Sequence, residues 1–202
     1  MALKKTAREL KNEAHMRTIQ KHAKALFGEY GFDRVTVDDI CASANVSKST
    51  FYNLYKSKED LNMISTNIAR CEYIRTHYHF DEALSVHELF RRFFQVNYDF
   101  VLQHSRSETR MTYRSYLATG DILGDSLERN DYLDALNLLI ARATREKAWL
   151  ITLPENLYWR YVTDTMIGCF IGWSTCIEDQ PGLNENYRML LDALVDSMIK
   201  KD

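Results

Sequence analysis

The stretch LFGEYGFDRVTVDDICASANVSKSTFYNLYKSKEDL, residues 26–61, contains the stop and start signals of several short helices. Gly31 predicts the end of a first helix, because glycine adopts a left-handed backbone without steric cost. Thr36 and Asp39 have the spacing of a capping box, in which a side-chain oxygen accepts a hydrogen bond from a free amide of the first turn. We therefore expect a second helix to start at Val37.

The second helix is expected to be short. It ends near Ala44, because Asn45 tolerates a left-handed backbone and Ser47 is a favoured N-cap for a third helix. Two helices of about two turns, joined by about three residues, have the length and punctuation of a helix-turn-helix. The second helix of that motif can enter the major groove of DNA.

The predicted third helix has two faces. At about 100° per residue, its apolar side chains share one arc and its polar side chains share the opposite arc. The apolar arc comprises Phe51, Leu54 and Tyr55. The polar arc comprises Lys48, Ser49, Tyr52 and Asn53. Because the rings would anchor the helix, we expect the polar arc to face outward, toward base edges and nearby phosphates.

Three further residues are expected to position the protein on the DNA backbone, namely Thr36, Thr50 and Lys58. Lys58 would lie beside the first turn of a fourth helix capped by Ser57. Main-chain amides at a helix N-terminus and an ammonium group can together hold a phosphate.

The charge distribution also favours a polyanionic partner at the N-terminal end. Residues 1–60 hold 11 Lys and Arg against 8 Asp and Glu, whereas the rest of the chain has a net charge of −5. Seven basic side chains lie within the first 24 residues: Lys4, Lys5, Arg8, Lys11, Arg17, Lys21 and Lys24. They would add a salt-dependent attraction to double-stranded DNA.

Along nearly its whole length, the stretch 26–61 resembles the DNA-binding segment of the tetracycline-repressor (TetR) family of transcriptional regulators. The sequence departs from the family pattern at Asn45, where glycine is usual, and at Leu54-Tyr55, where an aromatic residue or histidine followed by phenylalanine is usual. The resemblance is strong over the N-terminal third and rests on length and helical character beyond it. It implies a regulator, more often a repressor, that binds a palindromic operator as a homodimer and responds to a small molecule.

Only 7 glycines and 2 prolines occur in 202 residues, so the chain has little turn punctuation for a many-stranded protein. We therefore expect an all-α fold. Residues 1–57 are expected to form a three-helix helix-turn-helix DNA-binding domain. Residues 58–202 are expected to form a helical effector-binding and dimerisation domain.

The last two predicted helices carry more apolar surface than one core contact can cover. The first, at about residues 154–178, has Gly168 and Gly172 four residues apart, where another backbone can approach closely. It is expected to begin with a capping box at Thr152. The excess apolar surface indicates a subunit interface, and the resemblance implies that these helices pair with their copies in a four-helix dimer interface.

The resemblance also implies a ligand pocket framed by the middle helices of the C-terminal domain. The residues expected to line it are Phe94, Asn97, Tyr98, Tyr113, Trp149, Tyr161, Met166 and Phe170. This mixture of aromatic surface with a few hydrogen-bonding groups favours an apolar organic effector over a multiply charged one. The alternative, that these aromatic residues only form core, stays open.

Other chemistry has little support. The four cysteines lie far apart without a C-x-x-C pair, and His77 and His79 lack a third ligand nearby. No arrangement of nucleophile and base stands out, so we expect no enzyme activity, no metal and no cofactor. The longest uncharged stretch, residues 165–177, is shorter than the roughly 20 residues that cross a bilayer, which predicts a cytoplasmic protein without a membrane segment.

A second hypothesis has a different class of partner. A helical interaction protein or co-activator could keep the helix-turn-helix and dock on a partner protein instead of DNA. The polar arc argues against it, because a docking face is more often apolar.

Overall fold

The computed structural model describes residues 6–120, 130–176 and 182–201. In these ranges the chain forms α-helices and a short 3-10 helix, Glu155–Leu157, so the all-α prediction is confirmed. The α-helices are α1 (Ala7–Tyr30), α2 (Val37–Ala44), α3 (Lys48–Tyr52), α4 (Lys58–His77), α5 (Val86–Leu102), α6 (Arg106–Thr119), α7 (Asp131–Arg145), α8 (Tyr158–Thr175) and α9 (Leu183–Met198).

The chain divides into two compact units. The N-terminal unit comprises the described residues up to Thr66 together with Arg114–Gly120. The C-terminal unit comprises Asn67–Tyr113 and the described residues from Asn130 onward. Helices α4 and α6 therefore each contribute residues to both units. The domain boundary expected between residues 57 and 58 falls at the start of α4, whereas the compact units divide inside that helix.

The first helix of the N-terminal unit begins and ends at identifiable signals. Thr6 and Glu9 form a capping box, in which the Glu9 amide donates to Thr6 Oγ1 over 3.3 Å and the Thr6 amide donates to Glu9 Oε2 over 2.6 Å. At the other end Gly31 has a φ of 81° and a ψ of 148°, a positive φ but not the left-handed helical conformation expected from the sequence. The rings of Phe27 and Phe32 lie 4.8 Å apart across this end of α1.

The core of the N-terminal unit is formed by side chains from its first four helices. Its buried members are Ile19, Ala23, Val35, Ile40, Cys41, Ala44, Phe51, Tyr55 and Leu61. Burial of apolar side chains contributes about 1.5–3 kcal/mol for each large residue, so this small cluster fixes the placement of α2 and α3 on α1.

The C-terminal unit is built around α5, whose apolar face is buried. Its buried residues include Leu89, Phe90, Phe93, Phe94 and Tyr98. Helix α5 packs against α7, α8 and α9. An isolated antiparallel bridge joins Trp149 to Ile199 and holds the end of α9 against the segment that follows α7.

Helices α8 and α9 each keep one apolar face exposed. Ile171 of α8 and Leu190 of α9 are exposed, and Met189 is 70% exposed. The two glycines of α8 differ in their surroundings. A Cβ added at Gly172 would lie 2.9 Å from the Tyr187 hydroxyl of α9, whereas Gly168 has open space. Gly172 thus permits the contact between α8 and α9, and Gly168 stays available to another chain.

The expected bounds of α8 are partly corrected. Helix α8 begins at Tyr158, and the capping box expected at Thr152 is absent, since the 3-10 helix that follows Pro154 has no side-chain cap. The expected end at Glu178 lies outside the described residues. Among the residues that are described, no helix is long and apolar enough to span a membrane.

Candidate nucleic-acid interface and effector site

The turn between α2 and α3 has the geometry expected from its sequence. Asn45 adopts a left-handed conformation with φ 51° and ψ 47°. The Val46 amide donates to the Cys41 carbonyl over 3.0 Å, and the Thr50 amide donates to Ser47 Oγ over 3.0 Å. The predicted cap at Ser47 is thus confirmed, and α3 starts in a fixed direction from α2.

The apolar side of α3 is anchored in the core. Phe51 and Tyr55 are fully buried, with ring centroids 5.5 Å apart. The Tyr55 hydroxyl accepts a hydrogen bond from Gln20 Nε2 of α1 over 3.1 Å. Burial raises the pKa of Tyr55 above its ordinary value, so the phenol stays neutral at this anchor. Leu54, expected on the same arc, is only partly buried.

The helix itself is shorter than the two turns expected. It spans five residues, and the chain continues in a helical conformation through Asn53, whose amide donates to the Ser49 carbonyl over 3.0 Å. The short helix still places the polar arc outward. All four of its side chains are exposed, and Tyr52 is 56% exposed although its ring meets Phe51 edge to face at 5.4 Å.

Lys48 connects the polar arc to α2. Its ammonium pairs with Asp38 Oδ1 over 2.8 Å, and both side chains are more than half exposed. The hydrogen bond from Lys48 to Asp38 raises the pKa of the ammonium above its ordinary value. Lys48 therefore remains charged, but a phosphate must compete with Asp38 for it.

The two threonines expected to contact the DNA backbone use their hydroxyls in helix caps. Thr36 Oγ1 donates to Asp39 Oδ2 over 2.6 Å. This bond, together with a hydrogen bond from the Thr36 amide, holds the pKa of Asp39 below its ordinary value. The Thr50 hydroxyl lies 2.9 Å from Ser47 Oγ. Because both hydroxyls already have local partners, their contacts with phosphate stay predictions.

Lys58 has a structural role that the sequence did not indicate. Its ammonium donates to the carbonyls of Phe32 and Val35 over 2.8 and 3.0 Å and lies 4.5 Å from the centroid of the Phe32 ring. Lys58 thus joins the first turn of α4 to the segment between α1 and α2. Its predicted phosphate contact remains a prediction beside this observed role.

Helix α6 supplies a second link to the same segment within the N-terminal unit. Arg114 pairs with Asp33, and its guanidinium carbon lies 5.9 Å from the centroid of the Phe32 ring. Asn62 Nδ2 of α4 donates to Ser115 Oγ over 3.2 Å. These contacts join residues that are more than 50 positions apart, so no local pattern could have predicted them.

The basic residues of α1 lie on its exposed surface. They are Arg8, Lys11, Arg17, Lys21 and Lys24. Lys4 and Lys5 lie outside the described residues. The exposed cations are available to a polyanion, as their distribution in the sequence predicts.

The residues expected to line an effector pocket fall into different groups in the structure. Phe94, Asn97, Tyr98, Met166 and Phe170 are buried, whereas Tyr113 and Tyr161 are partly buried. The rings of Tyr98 and Phe170 are stacked with centroids 6.1 Å apart, which brings α5 and α8 together. Asn97 donates to the Phe93 carbonyl of its own helix over 2.8 Å.

Trp149 belongs to another group of rings. It stacks on Tyr158 with centroids 4.3 Å apart and meets Phe90 edge to face at 5.5 Å. Its indole nitrogen donates to Thr144 Oγ1 over 3.2 Å. These contacts support a core role for Trp149, next to the bridge with Ile199.

The sequence interpretation missed a partly buried polar cluster in the C-terminal unit. Arg70 of α4 lies with its guanidinium carbon 4.3 Å from the centroid of the Tyr132 ring in α7, and Arg70 Nη2 donates to Asn67 Oδ1 over 2.8 Å. Burial raises the pKa of Tyr132, and Arg70 acts in the opposite direction. The sequence offers one signal for this cluster, which is the polar residue Asn67 at helical spacing from Cys71.

The N-terminal unit is similar to a known family of proteins. Residues 19–62 match the family model described as bacterial regulatory proteins, tetR family. This range contains α2, α3 and the turn between them. The comparison with curated proteins finds no significant match.

Solved structures share the fold over almost the whole chain. FadR from Thermus thermophilus, described as a TetR-family transcriptional repressor in complex with lauroyl-CoA, has a TM-score of 0.63 at 17% identity over 93% of this chain and 96% of its own. The fatty acid degradation regulator FadR from Bacillus halodurans has a TM-score of 0.58 at 19% identity over 94% of this chain and 96% of its own. A TetR-family transcriptional regulator from Haemophilus influenzae has a TM-score of 0.59 at 15% identity over 93% of this chain and 98% of its own. At these identities the likeness concerns the fold.

Proposed function

We propose that this chain, whose residues 19–62 belong to the TetR family of bacterial regulatory proteins, is a transcriptional regulator that binds operator DNA through α3 and responds to a small organic effector. The observation that carries the proposal is that α3 is buried on one side and exposed on the other. Phe51 and Tyr55 are fully buried beneath the helix, while Tyr52 and Asn53 are exposed on its outer side.

The roles of the DNA-binding residues follow from their positions. The polar arc would contact base edges, where an amide group such as that of Asn53 can hydrogen-bond to adenine and a charged group such as that of Lys48 to guanine. Thr36, Thr50 and Lys58 are proposed to lie near phosphates. The exposed cations of α1 would add attraction that does not depend on sequence. We expect the protein to act in the cytoplasm, where the operator lies.

The exposed faces of α8 and α9 support a homodimer. Met189, Leu190 and Ile171 are exposed apolar residues that a partner copy would bury, and Gly168 would let a partner helix approach closely. A two-fold dimer presents two α3 helices to a palindromic site with half-sites about 34–36 Å apart, or a multiple of that distance.

The C-terminal unit, with α5 at its centre, is the proposed effector domain. The predicted lining residues stay a proposal, with Tyr98, Met166 and Phe170 favoured by their grouping between α5 and α8 and Trp149 disfavoured by its separate contacts. Helix α4 connects this unit to the link made by Lys58. An effector that binds one conformation of α4 better than another would change operator affinity by its differential affinity for the two.

The test is binding of double-stranded DNA from the promoter region of the protein's own gene, measured by fluorescence anisotropy at several salt concentrations. Asn53→Ala and Tyr52→Ala are each expected to weaken binding of the preferred DNA sequence by about 1–3 kcal/mol and to change which sequences are bound. Lys21→Ala is expected to weaken all sequences alike and to reduce the salt dependence.

A matched control is Asn137→Ala, which changes an exposed residue of α7 in the C-terminal unit. It should leave DNA binding unchanged. The proposal fails if the wild-type protein does not retain duplex DNA at low salt, or if all the variants bind as the wild type does. In that event, capture of a protein partner through α3 would favour the co-activator alternative, which no feature of the exposed polar arc supports.

A further inference from the structure

Asp38 of α2 and Lys48 of α3 form an exposed ion pair in the helix-turn-helix. Lys48 Nζ lies 2.8 Å from Asp38 Oδ1, and the two side chains are more than half exposed. The neighbouring carboxylate has a different use, because Asp39 Oδ2 accepts the hydrogen bonds of the α2 capping box. Asp38 thus connects the first turn of α2 to the first residue of α3.

The stability of the fold is a weak explanation for this pair. An exposed ion pair contributes about 0–1 kcal/mol to folding, because water screens the charges and both side chains lose conformational freedom. Phe51 and Tyr55 already anchor α3 by their burial. A carboxylate beside the polar arc also repels the phosphates of DNA. It therefore lowers the affinity for DNA unless it makes a favourable contact of its own.

The pair presents hydrogen-bond donors next to an acceptor. An ammonium group has three N–H donors, and the bond to Asp38 uses one of them. An ionised carboxylate only accepts, and its two oxygens can accept several hydrogen bonds. A donor and an acceptor are thus held side by side, with 2.8 Å between Lys48 Nζ and Asp38 Oδ1.

A G·C base pair has the complementary pattern in the major groove. Guanine presents N7 and O6 as acceptors, and the paired cytosine presents its N4 amino group as a donor. Guanine O6 and cytosine N4 are joined by a Watson–Crick hydrogen bond, so these atoms lie about 2.9 Å apart. This spacing matches that of Lys48 Nζ and Asp38 Oδ1. In an A·T pair the O4 acceptor of thymine lies beside a methyl group, so an ammonium finds one acceptor instead of two.

We propose, on the basis of the proposed function, that Asp38 is a specificity-determining residue. Lys48 donates to N7 and O6 of a guanine while Asp38 accepts from N4 of the paired cytosine, so that the two side chains together read one G·C pair in each half-site. This assigns a base contact to α2 as well as to α3. Asp38 also draws the ammonium away from phosphates, which a flexible lysine otherwise binds as a point charge.

The first experiment selects bound duplexes from a pool with a randomised central stretch, using the full-length wild type, Asp38→Ala, Lys48→Met and Glu29→Gln. Glu29→Gln is the matched control, because it removes the same charge from an exposed position of α1 in the same unit. We expect the wild type and Glu29→Gln to select a G·C pair at a fixed position in each half-site. In Asp38→Ala and Lys48→Met the preference at that position should fall at least about tenfold.

The selected sequences decide whether the two residues act together. The inference is overturned if Asp38→Ala selects the same sequences as the wild type, or if Asp38→Ala and Lys48→Met lose their preference at different base pairs.

The second experiment replaces the selected cytosine with N4-methylcytosine. This base still pairs with guanine but carries a methyl group in place of the amino hydrogen that faces the groove. Fluorescence anisotropy measures the dissociation constants. The modified base should weaken binding of the wild type at least about tenfold and that of Asp38→Ala less than about twofold, because the variant lacks the acceptor. Equal losses in the two proteins would overturn the inference.

A duplex without the selected sequence tests the effect of Asp38 on phosphate binding. Asp38→Ala should bind this duplex about two- to fivefold more tightly than the wild type does, because the ammonium of Lys48 is then free to bind phosphate. Glu29→Gln should change the affinity by less than about twofold. Weaker binding by Asp38→Ala would contradict the proposal, since that result is expected if the ion pair only supports α3.

Circular dichroism shows whether each variant is folded. If Asp38→Ala does not fold, Asp38→Ser replaces it, because serine also lacks the carboxylate and keeps a small polar side chain. A wild type that retains no duplex from the pool at low salt would reject the regulator function together with this inference. Retention of duplexes with a base preference that does not depend on Asp38 would reject only the reading of a G·C pair.

Discussion

At the scale of a single residue, Asn45 determines the direction of α3. Its left-handed backbone, with φ 51° and ψ 47°, ends α2 and allows Ser47 to cap α3. Residues with a Cβ rarely adopt this conformation, and asparagine is among the few that tolerate it because its short polar side chain can hydrogen-bond locally. The choice of residue at this one position therefore affects the orientation of the whole polar arc.

Replacement of Asn45 tests this dependence. We expect Asn45→Ala to lower the free energy of unfolding by about 1 kcal/mol and Asn45→Gly to change it by less than about 0.5 kcal/mol, because glycine accepts a positive φ. Urea denaturation measures the energies, and hydrogen exchange of the α2 and α3 amides locates the effect. Asn12→Ala, on the exposed surface of α1, is the control, and an equal loss in Asn45→Gly contradicts the explanation.

Lys58 allows a structural role to be separated from a DNA contact. Because its ammonium donates to two carbonyls and lies over the Phe32 ring, we expect Lys58→Met to lower the free energy of unfolding by about 2 kcal/mol without any DNA present. Lys56→Met, at an exposed position two residues earlier, should stay within about 0.5 kcal/mol of the wild type. Equal thermal stability of the two variants would contradict the role assigned to Lys58.

At the scale of helices, the elements set by local signals were predicted best. The capping box of Thr36 and Asp39, the left-handed Asn45 and the cap at Ser47 are confirmed, because each depends on residues within three positions of one another. The start of α1 at Ala7 depends on the capping box of Thr6 and Glu9, which precedes the apolar pattern of the helix. The prediction of a capping box at Thr152 is wrong, because a short 3-10 helix without a side-chain cap forms there.

Contacts between distant elements could not be predicted from spacing. The pairing of Arg114 with Asp33 and the stacking of Arg70 on Tyr132 each depend on how helices pack, which periodicity does not define. The same limit applies to the candidate sites. The exposed polar arc followed from helical geometry within one element, whereas the cationic cluster of Arg70 required the packing of several.

Helices α5 and α9 are joined by an ion pair whose strength depends on pH. Arg91 donates to both oxygens of Asp192 over 2.9 and 3.0 Å, and Gln95 donates to Oδ1 over 3.2 Å. Hydrogen bonding by Arg91, then by Gln95, holds the pKa of Asp192 below its ordinary value. The unfolded chain therefore binds a proton at this carboxyl at a higher pH than the folded chain does.

The sign of the pH dependence follows from this difference. Stabilisation by Asp192 is complete above the ordinary aspartate pKa of about 3.9 and is lost as the pH falls through the lower folded value. We expect Asp192→Asn to lower the free energy of unfolding by about 1 kcal/mol at pH 7. Below about pH 4 the variant should lose less stability than the wild type does. Urea denaturation from pH 7 to pH 3 measures both effects.

Asp164→Asn provides the control for this prediction. Asp164 pairs with Arg160 within α8, and both side chains are more than half exposed, so its removal should have a smaller effect at every pH. A steeper loss of stability in Asp192→Asn than in the wild type under acidic conditions would contradict the argument.

At the scale of the whole molecule, α8 and α9 expose apolar side chains. Met189 of α9 is 70% exposed, and Ile171 of α8 and Leu190 of α9 are also exposed. A surface of this kind marks an interaction site when its apolar residues are contiguous. The symmetric partner that the proposed function requires is a second copy of the chain.

We expect Met189→Glu to raise the dissociation constant of the dimer at least about 100-fold, because an unpaired buried charge costs about 3 kcal/mol or more. Sedimentation velocity at micromolar concentration measures the change. Leu138→Glu introduces the same charge at a position of α7 that is 53% exposed and should leave the dimer intact. A monomeric wild type, or equal behaviour of the two variants, would rule out the assigned interface.

The inclusion of Arg114–Gly120 in the N-terminal unit has a consequence for biosynthesis. The residues up to Thr66 leave the ribosome first, but Arg114 and Ser115 follow only after roughly 50 further residues, or about 3–10 s at 5–20 residues per second. During that interval Asp33 and Asn62 lack the partners that α6 supplies. The N-terminal unit therefore lacks these two contacts until the sixth helix has emerged.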